Sequence, residues 1–517
     1  MSAELTPDAD RRGLYLALAL GLVGLALLLL FTPVLPIQDA PMHLLVLDAL
    51  DRLDRGDAAL AAVMERRPLA PVYAWFYGLG RPLVPLLGAE GVLRAYLLAH
   101  LAMWAACLWA WLGTDPDPRR RWFLVLAGPV VLHGVFYLGF LNLLFVYPLV
   151  ALALRCASPR RAPPGPRAAR ARAAALAGLG LVCVGLHPLG VIVWGAAVGP
   201  FVLLAAAPGA RLRAALPLVV PLLAFLAVAL FGLQAADPER YRAYEVSQGP
   251  YLGWKAPQLM VAGMVQVLLP AGGPALALQA LAVALGVAAA LLGPRSDPAW
   301  AADPERRACL VTAGLAALGA VAGPFSLGEV NNVSLRLTPL VPLLLLGALP
   351  PGLCATRRRR VGLALLGAGL LLAHGWAFLS FSRQAAPALA LGAAEPAGRR
   401  LLPLVLSIHP RAFPRLEQLR PLPCTLARQR GWIQPYLWRE AHIPVLFREE
   451  PPAPRPYGPT ELTRAQAVAW DLVLTYADPQ EPQDLAELAA LLAGPLRGAR
   501  LLEERAGWRL YRAPRGP

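Results

Sequence analysis

Charge is scarce in this chain. Asp, Glu, Lys and Arg make up 15% of its 517 residues, against about 25% in an ordinary soluble domain. Cysteine is scarce as well. The six present are scattered, with no Cys-x-x-Cys and no Cys/His ligand spacing, which argues against a disulfide framework or a structural zinc site. Nucleotide-binding motifs are missing: neither a GxGxxG nor a Walker pattern occurs in suitable context. No internal repeat is evident. No small-residue cleavage site follows the first apolar run, Gly13–Phe31, so that run reads as a retained span, not a cleaved signal.

What fills the chain instead is apolar. Hydrophobic residues reach 57% and the mean hydropathy is +0.53. A soluble fold of this length could not hide so much apolar surface, so a bilayer must cover part of it. The formal net charge of +16 comes almost entirely from arginine. Those arginines stand in short runs between apolar stretches, a pattern of membrane topology and not of nucleic-acid binding.

Eleven stretches read as membrane spans: Gly13–Phe31, Gly91–Leu112, Trp122–Leu138, Leu141–Leu154, Ala173–Leu186, Leu189–Ala206, Ala214–Leu233, Pro274–Leu292, Ala308–Phe325, Leu337–Leu353 and Val361–Phe381. Several fall short of the roughly 20 residues a straight span needs. Leu69–Leu87 and Gln258–Leu269 read as interfacial or half-buried. With the N-terminus in the cytoplasm, about 20 basic residues fall inside and about 9 outside, as the positive-inside rule asks. The runs Arg119–Arg121 and Arg357–Arg360 then serve topology and anionic lipid. The inner linker Ser158–Arg172 reads as irregular and lipid-facing. Eleven spans put the C-terminus outside. After Phe381 the composition turns mixed and polar. Leu401–Ile408 and Trp470–Thr475 look like strands, Pro482–Leu492 like a helix and Arg500–Arg512 like a hairpin. The expected architecture is an all-α polytopic membrane bundle over residues 1–381 with a small extracytoplasmic α/β domain over 382–517.

The sharpest chemical signal opens the long outer loop 32–90: Pro36-Ile-Gln-Asp39-Ala-Pro41-Met-His43. Asp39 suits a helix N-cap and Pro41 a first turn. Leu44, Leu47, Leu50 and Leu53 recur at helical spacing, with Asp48, Asp51, Arg52, Asp54 and Arg55 opposite. That pattern predicts an amphipathic helix on the outer membrane surface. Asp39 and His43, four apart, share a face. They are either a general base pair or divalent-metal ligands, or else a cap and a headgroup-facing histidine. Further polar groups fall at predicted span ends. Asn142 and His187 lie at hairpin tips. Arg336, in Glu329-Val-Asn331-Asn332-Val-Ser-Leu-Arg336, could neutralise a phosphate, pair with Glu329, or reach to headgroups. Arg240, Arg242 and Lys255 with Tyr241, Tyr244, Tyr251 and Trp254 form a basic, aromatic loop suited to a sugar phosphate, or to an interfacial belt. His133 and His374 read as packing histidines inside the bundle. His409 and His442 have no motif context.

The N-terminal span, the long outer loop opening on an acidic residue and a nearby histidine, and the many short spans resemble the GT-C class of membrane glycosyltransferases. Relatives in that class include protein O-mannosyltransferases and lipid A aminoarabinose transferases. The segment Asp39-Ala-Pro-Met-His43 is similar to an Asp-x-Pro-x-His opening in a bacterial branch outside the better-known members. Similar too are Tyr137-Leu-Gly-Phe-Leu-Asn142, His187-Pro188, and Arg336 before a Pro-rich span. The likeness covers the membrane portion in layout and these patches in residues. It implies a hexosyl- or pentosyltransferase that passes a sugar from a polyprenyl-phosphate carrier to a glycan, lipid or protein acceptor at the outer face of a bacterial cytoplasmic membrane. The loop acid would be base or metal ligand, and His187, Asn142, Arg336, Lys255, Arg242 and Tyr251 would contact substrate. Many members carry two close acidic residues in this loop, whereas here Asp39 stands alone until Asp48. No cofactor is implied beyond a divalent metal at Asp39 and His43. The alternative class is a non-enzymatic transporter or an envelope-assembly scaffold with a degenerate GT-C fold. The near absence of acidic residues from the spans argues against cation-coupled transport.

Overall fold

The computed structural model describes residues 7–66, 74–161, 165–187, 189–235, 252–292, 302–327, 332–435, 444–448, 453 and 461–515. The chain divides into two compact units. The first comprises Met1–Leu30, Leu97–Phe136 and Phe140–Gly375, and the second Phe31–Tyr96, Tyr137–Gly139 and Trp376–Pro517.

Among the described residues, six helices are long and apolar enough to cross a membrane: Arg11–Phe31, Trp75–Gly113, Pro166–Leu186, Pro208–Ala227, Gly273–Leu292 and Arg357–Leu389. Shorter apolar helices cover Leu141–Ala157, Gly190–Ala205, Pro257–Leu268 and Ser334–Ala348. Large apolar side chains such as Leu212, Leu222, Leu223 and Leu372 are exposed, a pattern that suits lipid and not water. The chain is a multi-pass membrane protein.

The expected span Trp122–Leu138 is not one helix. It breaks into a 3₁₀ segment, Pro118–Leu126, and two short helices, Gly128–Val131 and Gly134–Leu138. Pro129 removes a donor and Gly128 and Gly134 lower helix propensity. Gly134 is also a close approach: a Cβ there would stand 2.4 Å from the Val267 Cα.

The arginines of the expected inner loops do more than face lipid. Asp115 accepts hydrogen bonds from Arg120 Nη1 at 2.7 Å and Arg161 Nη2 at 2.8 Å. Arg120 Nη2 also donates to the Gly347 carbonyl at 2.6 Å. Beside them Arg160 pairs with Asp303, and its N–H donates to Glu305 at 3.1 Å. The linker expected to be irregular and lipid-facing is therefore anchored at Arg160 and Arg161, and from Pro166 onward it is helical. Arg120 is 3% exposed, so the run Arg119–Arg121 is not simply a topology signal. A buried guanidinium left without its carboxylate is strongly destabilised. Asp115→Asn should therefore cost about 3 kcal/mol, read as a lower thermal midpoint of the purified protein in nanodiscs. An unchanged midpoint would mean that the cluster contributes nothing to stability.

In the second unit the loop helix spans Ala40–Asp54. It does not lie on lipid. Every residue from Ala40 to Leu47 is buried, because this half of the helix is apolar apart from His43 and charged residues begin only at Asp48. The helix Leu422–Arg430 packs against it, and Cys424 Sγ meets Met42 Sδ at 3.9 Å. A four-stranded sheet runs in the order Leu401–Val405, Leu472–Tyr476, Trp508–Arg512, Arg500–Arg505. The first pair is parallel and the other two are antiparallel. Both strands of the parallel pair are buried along their whole length, as strands covered on both faces are. The final hairpin turns at Ala506 and Gly507, with φ of 50° and 86°, the left-handed pair that a tight two-residue turn requires. A further short pairing joins Met64–Arg66 to Val445–Phe447.

Candidate functional site

Arg336 is the best-defined candidate in the first unit. It lies in a 3₁₀ turn, Ser334–Leu337, and is 5% exposed. Its guanidinium carbon stands 4.0 Å above the Phe140 ring, a cation–π contact strengthened by burial. Its own carbonyl accepts the Tyr147 hydroxyl at 2.8 Å, which fixes the backbone from which the side chain departs. Its Nη1 is 3.4 Å from His187 Nε2.

The state of His187 follows from its other nitrogen. The residue ends the helix Pro166–Leu186 and is 3% exposed. Its Nδ1 lies 3.1 Å from the Leu189 N–H, which donates to it. An imidazole that accepts at Nδ1 is neutral and carries its proton on Nε2. Nε2–H and the Arg336 Nη1–H are then both donors, set side by side. Two buried donors 3.4 Å apart suit one shared acceptor oxygen, and an anionic oxygen best.

The other first-unit candidates divide. Asn142 is fully buried in the short helix Leu141–Leu144. The Lys255 ammonium is 3.6 Å from the centre of the Phe325 ring. The Phe325 carbonyl accepts from Val333 N–H at 2.9 Å, and the Val333 carbonyl from Arg336 N–H at 3.3 Å. Lys255 is thus tied through the backbone to the Arg336 turn. Arg242 and Tyr251, together with Glu329, lie outside the described residues.

In the second unit Asp39 occupies the N-cap position of Ala40–Asp54, yet its carboxylate makes no capping bond. Its carbonyl accepts from the N–H groups of Met42 and His43, both at 3.1 Å. Its own N–H donates to the Leu138 carbonyl at 3.2 Å, and the Gln38 N–H to the Tyr137 carbonyl at 2.8 Å. Gly139 follows at φ 87°. A Cβ on it would stand 2.9 Å from Ile37 Cγ2 and 3.0 Å from the Asp39 Cβ and N. On the other side, Gln418 Nε2 donates to the Pro36 carbonyl at 2.5 Å, and the Glu417 N–H to Gln38 Oε1 at 3.1 Å. The Asp39 turn is therefore gripped on both flanks by hydrogen bonds.

His43 does not face headgroups. It is fully buried, with Nδ1 2.8 Å from the Tyr77 hydroxyl and its ring edge-on to Phe76. Asp48, the next acid, is half-buried. Burial raises its carboxyl pKa, against the pull of Arg428 and Arg52. No group of three or more His, Cys, Asp or Glu that could hold a metal occurs among the described residues. Asp39 and His43 alone fall short of the three protein ligands of a typical catalytic zinc.

Sequence reasoning missed Phe140, Tyr147, Tyr77 and Gly139 as supporting residues. Phe140 and Gly139 lie inside the Tyr137–Asn142 patch, which was the available signal. Nothing in the sequence marks Tyr147 or Tyr77, since both act through contacts distant along the chain. Of the remaining histidines, His374 meets Gln279 at 3.0 Å between two membrane helices, and His409 Nδ1 meets the Leu416 carbonyl at 3.2 Å. His442 lies outside the described residues.

The membrane architecture has the fold of a known class. No protein-family model matches the chain, and no curated protein matches it. Among solved structures it is similar in fold to ArnT from Cupriavidus metallidurans. The crystal structure of ArnT in the apo state matches with a TM-score of 0.53 and 13% identity, over 98% of this chain and 100% of that one. The crystal structure of ArnT bound to undecaprenyl phosphate matches with a TM-score of 0.51 and 13% identity, over 97% and 99%. At that identity the likeness is one of fold, and it agrees with the GT-C layout expected from the sequence.

Proposed function

We propose that the chain is a membrane glycosyltransferase that moves a sugar from a polyprenyl-phosphate carrier to an extracytoplasmic acceptor. The observation that carries this reading is the pair of converging N–H donors, Arg336 and His187, buried beside Phe140 in a chain of ArnT-like fold. Such a pair suits a phosphate oxygen, and one ArnT structure is bound to undecaprenyl phosphate. The acceptor oxygen attacks the anomeric carbon, and the bond from that carbon to the carrier phosphate oxygen breaks. Its electron pair leaves with the phosphate, which gains a negative charge in the process. Arg336 and His187 stabilise that growing charge. Asp39 takes the proton of the acceptor hydroxyl, and His43, held by Tyr77, orients the turn that carries it. A single displacement inverts the anomeric centre. Asn142, Lys255, Arg242 and Tyr251 are assigned to substrate contact. The protein belongs, in this reading, in a bacterial cytoplasmic membrane. Residues 1–381 form the transferase domain, and the sheet-containing domain of residues 382–517 is extracytoplasmic.

The experiment is a panel of polyprenyl-phosphate sugars offered to the purified protein, with release of free polyprenyl phosphate followed by mass spectrometry. Turnover of one donor is expected. A protein that consumes none of them and retains no polyprenyl phosphate would be a transporter or scaffold instead. In the same assay Gly139→Ala should lower turnover about tenfold, since a small misplacement of a reacting group is costly. It should also destabilise by about 1–2 kcal/mol, because alanine is strained at a left-handed φ. Wild-type turnover in that variant would show that the Asp39 turn tolerates displacement.

A further inference from the structure

Two histidines that the proposed reaction does not use stand inside the first unit. His100 lies on the helix Val84–Leu108 and is 1% exposed; His133 is 3% exposed. Trp104, one helical turn from His100, is 1% exposed. Neither ring nitrogen of His100 has a hydrogen-bond partner among the described residues, and the same holds for His133 Nε2 and Trp104 Nε1. Buried polar atoms are nearly always satisfied, because stripping them of water without replacement is unfavourable. Four such atoms in one neighbourhood call for an explanation.

Geometry gathers them around Phe136. The Phe136 N–H is shared between the His133 carbonyl at 2.9 Å and His133 Nδ1 at 3.3 Å. The His100 ring lies near-parallel to the Phe136 ring, with centroids 6.4 Å apart. His100 also meets Trp104 edge-on at 6.3 Å and Phe145 at 5.5 Å, while His133 meets Tyr147 edge-on at 4.8 Å. With His133 Nδ1 on the acceptor side of that shared N–H, we assign its proton to Nε2, which makes that nitrogen a donor. Trp104 Nε1 can only donate. His100, if neutral, offers one donor and one acceptor. An N–H turned towards an aromatic face gains little and does nothing for the acceptor nitrogen of His100. A metal would need more ligands than two imidazoles, and no third lies among the described residues.

We infer that His100, His133 and Trp104 enclose an internal hydration site, in which one or two buried water molecules link the His133 Nε2–H and the Trp104 N–H to the acceptor nitrogen of His100. Water is the guest that both donates and accepts in so small a space, and internal waters make about three hydrogen bonds to groups of this kind. The site backs Tyr147, whose hydroxyl holds the Arg336 carbonyl. It does not depend on the reaction proposed above.

Two measurements test the inference on the full-length protein in nanodiscs. An experimental map at about 2.5 Å or better should show a peak within hydrogen-bond distance of His133 Nε2 and a His100 nitrogen. A map with both imidazoles well ordered and no such peak overturns the inference. The second measurement is a double-mutant cycle. His100→Phe should lower the thermal midpoint by about 2 °C or more, because the water loses its acceptor while His133 and Trp104 keep their demands. Adding His133→Phe should then recover part of the loss, since removing both ends of a polar link costs less than removing one. If His100→Phe raises the midpoint, or the two changes simply add, the pocket is dry and the site does not exist.

Discussion

Arg336→Gln should lower turnover of the lipid-linked donor about 10²–10³-fold, the range expected when one partner of a buried, charge-assisted contact is truncated. Most of that loss should appear in kcat. The carrier phosphate gains charge only as the glycosidic bond breaks, so a fixed cation binds the transition state better than the ground state. The guanidinium owes its fixed position to Phe140 on one face and to the Tyr147 bond on its own carbonyl. Arg336→Lys keeps the charge but loses the planar fork and its stacking, and should retain about a tenth of wild-type turnover, between the two extremes. Binding of polyprenyl phosphate, measured by native mass spectrometry, should weaken in the same order. If Arg336→Gln turns over donor at the wild-type rate with an unchanged thermal midpoint, Arg336 is a packing residue and the phosphate reading of the Arg336–His187 pair is lost.

Much of the architecture was legible because the bilayer imposes a simple rule. Long apolar helices must satisfy their own backbone, so runs such as Gly273–Leu292 appear in the sequence almost to the residue. The strands within Leu401–Ile408 and Trp470–Thr475 were visible as β-rich apolar runs, and the final hairpin from the pattern of Arg500–Arg512. Three features were not legible, and for one reason. The Ala40–Asp54 helix looked amphipathic because hydropathy weighs Asp48 to Arg55 equally with the first two turns, whereas burial is decided by the Leu422–Arg430 helix that covers those turns. Arg120 and Arg161 looked like topology signals until Asp115, Asp303 and Glu305 were seen to gather beside them. Trp122–Leu138 looked like a span because periodicity cannot see that Gly134 must admit the Val267 backbone. In each case the decisive partner is distant in sequence. The candidate residues fared similarly. His187 and Arg336 were nameable one at a time, but that both nitrogens are donors depends on the Leu189 N–H and needs the fold.

Asp39→Asn is expected to remove turnover by about 10²–10⁴-fold, the usual contribution of a positioned general base, while leaving the protein otherwise intact. The substitution is unusually clean at this position. Asparagine caps helices as well as aspartate does, and the Asp39 carboxylate makes no capping bond to begin with. The turn is held by other hydrogen bonds instead, through Leu138 on one side and Gln38 and Pro36 on the other. The helix Ala40–Asp54 should therefore start in the same place, and stability should move by less than about 0.5 kcal/mol. Binding of polyprenyl phosphate should also be unchanged, because that step is assigned to Arg336 and His187. The two large predictions thus separate: one variant loses the carrier and the other loses only the proton transfer. A plain capping role for Asp39 makes the opposite forecast, since asparagine would then be neutral in every assay. Donor turnover by Asp39→Asn within about twofold of wild type, well inside the loss expected of a missing base, would leave the loop acid as architecture and send the search for the base to another residue.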